Sequence, residues 1–245
     1  MNKILALLLI LLVPALAAAR EESVPLDHAP VDLGNKASLQ RGAAIFVNRC
    51  LNCHSASLMR YKRLEDLGLT EEQIKQNLLF TTDRIGDTMS APQDAKIAKA
   101  AFGVVPPDLS LVARSRSPDW LYTYLRSFYR DAKSSSGWNN VVFPNVAMPN
   151  VLYEEQGEQA LHVTEKMNDI TGDKVETRKL VVEKPGTLTP VEYDRYVGDL
   201  VNYLAYMSEP AQTSRKLWGI VVLFVLAGFA VLAYLLKREY WKDVR

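Results

Sequence analysis

The chain has 245 residues, 48% of them hydrophobic, enough for one sizeable domain with a buried core plus accessory segments. A net charge of +1 gives no bulk pull toward a polyanion, so no nucleic-acid partner is expected. Only two cysteines occur, Cys50 and Cys53, and a bridge between them would close too short a loop to stabilise a fold, so their purpose is chemical.

At the start, Lys3 precedes an apolar run from Ile4 to Val13, and Ala17, Ala18 and Ala19 are the small residues a signal peptidase reads. Residues 1–19 read as a secretory signal peptide, because the run is shorter than the roughly 20 residues a membrane span needs. The body, 20–210, is mildly acidic and reads as mostly helical with long irregular connections. Over Ser38 to Asn48, Leu39, Ala43, Phe46 and Val47 share one side of a short amphipathic helix that leads into Cys50. Thr70-Glu71-Glu72-Gln73 has the form of a capping box and predicts a helix to about Phe80. Ser90-Ala91-Pro92 predicts another through Phe102, and Ser117-Pro118-Asp119 a third through Arg130.

From Gln159 to Glu183 the pattern changes to ALHVT and KLVVE around Thr171-Gly172-Asp173-Lys174, which predicts a β-hairpin. Thr189-Pro190-Val191-Glu192 then opens a long helix with Val197, Leu200, Val201, Leu204 and Met207 on its apolar side. Leu217 to Leu236 is twenty residues without a charge, long enough at about 1.5 Å per residue to span a hydrocarbon core. Trp218, Tyr234, Tyr240 and Trp241 sit at or near its ends, where amphipathic rings prefer the interface. Export followed by stop-transfer would leave the body outside and the tail, 237–245, with Lys237, Arg238, Lys242 and Arg245, inside.

Cys50-Leu51-Asn52-Cys53-His54 carries the chemistry. Thiols two positions apart can each add to a haem vinyl group, and the adjacent His then meets the iron, so the motif predicts one covalently bound haem c with His54 as a ligand. A zinc site would need a second ligand pair, yet only His28 and His162 remain as further histidines. A thioredoxin-like pair would open a helix after a strand, whereas these cysteines end one. Idle thiols side by side would be a hazard in an oxidising space.

An electron carrier needs a second axial ligand, and a thioether favours the reduced iron. Met1 leaves with the leader, Met59 is too close to His54 to reach the opposite face, Met207 lies on an apolar helix face, and Met89 and Met167 lie in polar surroundings. Met148, in the irregular loop Phe143-Pro144-Asn145-Val146-Ala147-Met148-Pro149, can fold over the far side. Pro106-Pro107-Asp108-Leu109-Ser110 by itself marks a turn. His28 and His162 are not assigned to metal. Glu154, Glu155 and Glu158 read as solvated surface, or alternatively as a patch that steers a basic partner.

The stretches LQRGAAIFVNRCLNCHSASLMRYKRL, VVPPDLSLVARSRSPDWLYTYL and FPNVAMPNVLY, followed by the terminal helix and anchor, occur in the order found in the cytochrome c1 family, which the chain resembles over nearly its whole length after the leader. The resemblance implies a mainly α, class I cytochrome c-like haem domain with loop and hairpin insertions and one C-terminal transmembrane helix. It places Met148 at the sixth-ligand position. It implies that Pro106 and Pro107 line the His side of the haem and offer the histidine's other nitrogen a carbonyl. It matches Arg116 to a propionate partner, with Arg114 a near alternative and Trp120 standing where a Tyr is often found. It also implies single-electron transfer from a Rieske iron–sulfur protein to a soluble or tethered cytochrome c, with cytochrome b and membrane lipid as neighbours. That work belongs to quinol:cytochrome c oxidoreductase in a bacterial inner membrane, with the haem domain periplasmic.

No nucleophile, base and oxyanion-donor constellation and no phosphate loop is visible, so the chain is not expected to be an enzyme on its own, and no catalytic residue is assigned. Rival readings are a haem c subunit anchoring a dehydrogenase or terminal oxidase, and a zinc or redox-thiol protein.

Overall fold

The computed structural model describes residues 24–167 and 174–243. The leader 1–19, the hairpin turn over Thr171 to Asp173, Arg245, Met1 and the side chain of Met167 lie outside the described residues.

Asn35 starts helix α1 (Lys36–Ile45) by accepting a hydrogen bond from the Ser38 N–H. At Ile45 the helix widens into a π-type turn, Phe46–Cys50, which keeps Phe46, Val47 and Cys50 buried. Strand β1 (Ala56–Arg60) follows, then a 3-10 helix, Tyr61–Leu67, that buries Tyr61, Leu64 and Leu67 at the three-residue spacing of that geometry. The Thr70–Gln73 capping box is present and opens α2 (Glu71–Asn77), which ends three residues before the expected Phe80. Strand β2 (Thr88–Met89) pairs antiparallel with β1.

Helix α3 (Ala95–Phe102) begins later than the expected Ser90. The Ala91 N–H is used by Ser55 Oγ, and Asp94 provides the cap by accepting from Lys96 and Ile97. After the short helix α4 (Val112–Ser115), α5 (Pro118–Arg126) stops short of Arg130, because Phe128–Arg130 leaves it as strand β3 and pairs with β4 (Trp138–Asn140). One helical turn, α6 (Tyr153–Gln156), leads into the hairpin β5 (Gly157–Met167) and β6 (Lys174–Pro185), which is longer than the sequence pattern indicates.

Helix α7 (Pro190–Ser208) starts with the expected Thr189–Glu192 capping box and is the spine of the core. Helix α1 crosses it at Gly42, where a Cβ would lie 2.1 Å from the Asp199 carbonyl oxygen and 2.7 Å from Tyr203 Cβ. Beside that contact, Arg41 donates to both carboxylate oxygens of Asp199, at 2.6 and 2.9 Å, and Phe46 meets Tyr203 with ring centroids 5.6 Å apart. Helix α5 packs on α7 through the Tyr193 hydroxyl donating to the Leu125 carbonyl at 2.9 Å and an Arg126–Asp194 ion pair of 2.6 Å. Helix α4 joins through the Ala113 N–H and Ser208 Oγ. The residues buried around α7, among them Leu39, Phe46, Leu121, Val197, Leu200, Val201 and Leu204, form one contiguous core.

Only Glu209 to Ala211 separates α7 from α8 (Gln212–Tyr240). Within α8 the 27 residues Ser214–Tyr240 are long and apolar enough to cross a membrane, and none of the span is buried against the rest of the protein. The helix overruns the expected 217–236 at both ends.

Candidate haem-binding site

The continuous helix-to-π geometry delivers Cys50 as the last residue of a buried turn, and the N–H groups of Cys53 and His54 both donate to the Cys50 carbonyl, at 3.1 and 2.9 Å. The five residues of the motif therefore form one compact loop with both thiols free, Cys50 buried and Cys53 half-buried. Burial pushes the Cys50 thiol up to about 12, with Cys53 adding to it. Among the described residues no group of three or more His, Cys, Asp or Glu is gathered in a way that could hold a metal ion, so the zinc reading has no ligand set there.

His54 Nδ1 lies 2.8 Å from the Pro107 carbonyl oxygen. A carbonyl can only accept, so Nδ1 carries the hydrogen and Nε2 is left with its lone pair, the tautomer that binds iron. Burial lowers the His54 pKa against the opposing pull of Pro107 and Asp108, which keeps the imidazole neutral.

The segment after Pro107 is latched to the segment after His54. Asp108 accepts from the Ser57 N–H at 2.8 Å and from its hydroxyl at 2.6 Å, Ser110 Oγ accepts from the Leu58 N–H, and the Leu109 N–H donates to the Ser55 carbonyl. Pro106 and Pro107 are thus pinned beside the motif by the residues that follow them.

The second half of the site lies along the same stretch of chain, where residues 106–110 run on through α4 into α5. The buried Tyr124 of α5 donates its hydroxyl to Met148 Sδ at 3.4 Å. Burial raises the Tyr124 pKa, so the phenol remains a donor. Trp120 stacks on Tyr124 with centroids 4.7 Å apart, and Arg116 lies over the rings of Trp120 and Phe143, at 5.2 and 5.9 Å. Of the two candidate arginines it is Arg116 that lies on the aromatic wall beside Met148.

Met148 is half-buried, in a loop held by Asn139 and Asn140, whereas Met59, Met89 and Met207 are buried in the core. For Met89 this corrects the expectation of polar surroundings: it is fully buried, and Tyr203 donates its hydroxyl to the sulfur at 3.6 Å. His28 is exposed, 3.4 Å from Asp119, and His162 faces Lys179 on the hairpin. The expectation of solvated surface holds for Glu154, which is exposed, and is corrected for Glu155 and Glu158. Glu155 is buried and paired with Arg49, Glu154 shares that arginine at 3.0 Å, and Glu158 is held by Arg130 at 3.0 Å and Lys184 at 3.1 Å. These carboxylates anchor the hairpin root to the body rather than forming a free acidic surface. Sequence reasoning misses Tyr124, Asn139 and Asn140 as site residues. The adjacent Asn pair between Trp138 and an apolar run is the one visible signal.

The donor set fits a covalent haem: two thiols at the right spacing, a neutral histidine with its second nitrogen occupied, and a half-buried thioether against an aromatic wall. Fold and site together define a class, the single-haem c-type cytochromes carried on one membrane-anchoring helix. A family model described as "Cytochrome C1 family" matches residues 28–82 and 81–244. The chain is 47% identical over 246 residues, all of both chains, to a protein of Allochromatium vinosum named cytochrome c1. It is 50% identical over 238 residues, 97% of each chain, to a protein of Nitrosomonas europaea named ammonia monooxygenase gamma subunit. It is 27% identical over 236 residues, 85% of this chain and 68% of the relative, to an Arabidopsis thaliana protein named "Cytochrome c1 2, heme protein, mitochondrial". The chain belongs to the cytochrome c1 family and is a membrane-anchored haem c electron-transfer subunit.

Proposed function

We propose that the chain takes single electrons from a Rieske iron–sulfur protein and passes them to a soluble or tethered cytochrome c, beside cytochrome b in a quinol:cytochrome c oxidoreductase. The observation that carries this is the His54–Pro107 contact, which presents Nε2 from the loop that also holds both thiols. Bound haem c supplies a reversible one-electron couple. Cys50 and Cys53 would hold that haem through thioether bonds, and His54 and Met148 would ligate its iron, a thioether ligand raising the potential toward that of a high-potential donor. Pro106, Pro107 and Trp120 would cover the ring against water. Arg116, kept rigid over two aromatic faces, offers a guanidinium to a propionate. In this reading residues 1–19 are removed, 20–210 lie in the periplasm, 217–236 span a bacterial inner membrane, and 237–245 are cytoplasmic.

A pyridine haemochrome spectrum of the purified protein tests the cofactor, and Cys50→Ala with Cys53→Ala should abolish haem staining on a denaturing gel. A stained band that survives both substitutions would sink the attachment. The name of the Nitrosomonas europaea relative favours a second reading, in which the same haem domain serves a monooxygenase. Co-purification from membranes separates the two: cytochrome b and Rieske protein support the first, monooxygenase subunits the second.

A further inference from the structure

We propose that Asn140, with Asn139 beside it, is a positioning residue for the sulfur of Met148, an inference that rests on the reading of Met148 as an axial ligand. The loop from Val141 to Pro149 contains no helix or strand and two prolines, so regular backbone pairing cannot fix it. Two buried side-chain oxygens take that role. Asn140 Oδ1 accepts from the N–H groups of Val142 and Phe143, at 2.9 and 3.1 Å, and from Ser127 Oγ at 3.2 Å. Asn139 Oδ1 accepts from the N–H of Asn145, at 2.8 Å, where the backbone turns through a left-handed φ of 62°.

The amide nitrogens point the other way, into the body. Asn140 Nδ2 donates to the Tyr124 carbonyl at 2.8 Å, and Asn139 Nδ2 donates to Asp131 at 2.8 Å. Tyr124 is also the residue whose hydroxyl meets Met148 Sδ. Asn140 therefore ties the loop bearing the sulfur to the same residue that contacts the sulfur, from a position with no solvent exposure. Replacing it by alanine would take the shared acceptor from the N–H groups of Val142 and Phe143 and cut the loop's tie to the Tyr124 carbonyl, a loss the loop can relieve only by moving.

The test uses the full-length detergent-purified holoprotein in its reduced form, exposed to carbon monoxide, which binds ferrous haem only where the sixth position is vacated. Wild type should stay unreactive. Asn140→Ala should keep its covalent haem but become reactive, and its electron acceptance should weaken about a hundredfold, about 120 mV on a one-electron couple. Asn139→Ala should shift both readouts the same way by less, since it spares the bonds to Tyr124, Val142 and Phe143. If Asn140→Ala does not accumulate as folded protein, Asn139→Ala decides by the same readouts. Met148→Leu is the control. If it stays closed to carbon monoxide at an unchanged potential, the ligand reading fails and the positioning role falls with it. If it opens while both asparagine variants stay closed at the wild-type midpoint, the positioning role alone is overturned, whatever their melting temperatures.

Discussion

The Tyr124 hydroxyl and the Met148 sulfur stand 3.4 Å apart, with the phenol buried and stacked on Trp120. Donation to the thioether draws electron density away from it and so favours the reduced iron. Tyr124→Phe keeps the ring packing and removes only the donor. A hydrogen bond of about 1 kcal/mol that favours one oxidation state corresponds to less than one tenfold step, about 59 mV for one electron, so the midpoint should fall by a few tens of mV. Redox titration reads this directly, and an unchanged or raised midpoint would remove Tyr124 from the account.

Gly42→Ala should destabilise the body by about 1–3 kcal/mol or more, because its Cβ would sit 2.1 Å from a backbone carbonyl of α7 that cannot swing aside. At Gly228, in the apolar α8, an added Cβ would meet nothing within 4 Å, so Gly228→Ala should leave the unfolding of the body unchanged. Denaturant unfolding of the two variants side by side makes the comparison.

Removing Arg49 leaves Glu155 buried without its cation, and one Glu155 oxygen already has no hydrogen-bond partner. Arg49→Met should therefore cost about 1–3 kcal/mol, less than a fully buried pair because Arg49 is a third exposed. Glu154→Gln, which loses only an exposed contact, should cost under about 1 kcal/mol. Equal costs in thermal unfolding would contradict the burial of Glu155.

Hydrogen bonds from Arg130 and Lys184 hold the Glu158 carboxyl down to about 2, from an ordinary 4.5. Its folded-state pKa is depressed, so its contribution to the hairpin root is present above pH 4.5 and lost as pH falls toward 2. Arg130 also lies 4.0 Å over Trp138, which gives a local reporter. The near-ultraviolet signal of Trp138 should change across that acid window in wild type and lose that transition in Glu158→Gln.

The parts of this fold legible in the sequence are those written in adjacent residues. The capping boxes at Thr70 and Thr189 and the uncharged run of α8 need only local spacing, and they stand as expected. Helix ends are less legible: Phe128 reads as one more apolar position of α5 until Asn140 is seen pairing with it. The motif at Cys50 is legible because its chemistry is local, whereas the carbonyl beside His54 is offered from Pro107, 53 residues on, and only the family resemblance points there. The acidic trio misleads for a related reason. Its cations, Arg49, Arg130 and Lys184, come from three distant parts of the chain, so a locally unpaired run of glutamates meets its counter-charges only on folding.

The link between α7 and α8 is three residues, 209–211, a reach of about 11 Å even if pulled straight. It is further drawn in by the Gln212 N–H donating to the Glu209 carbonyl and by the Arg215–Glu209 ion pair. A body on so short a leash stays at the lipid surface beside its own anchor and cannot sweep out to meet a distant donor or acceptor. The travel in any electron relay through this protein falls to its partners, which must shuttle to a stationary station.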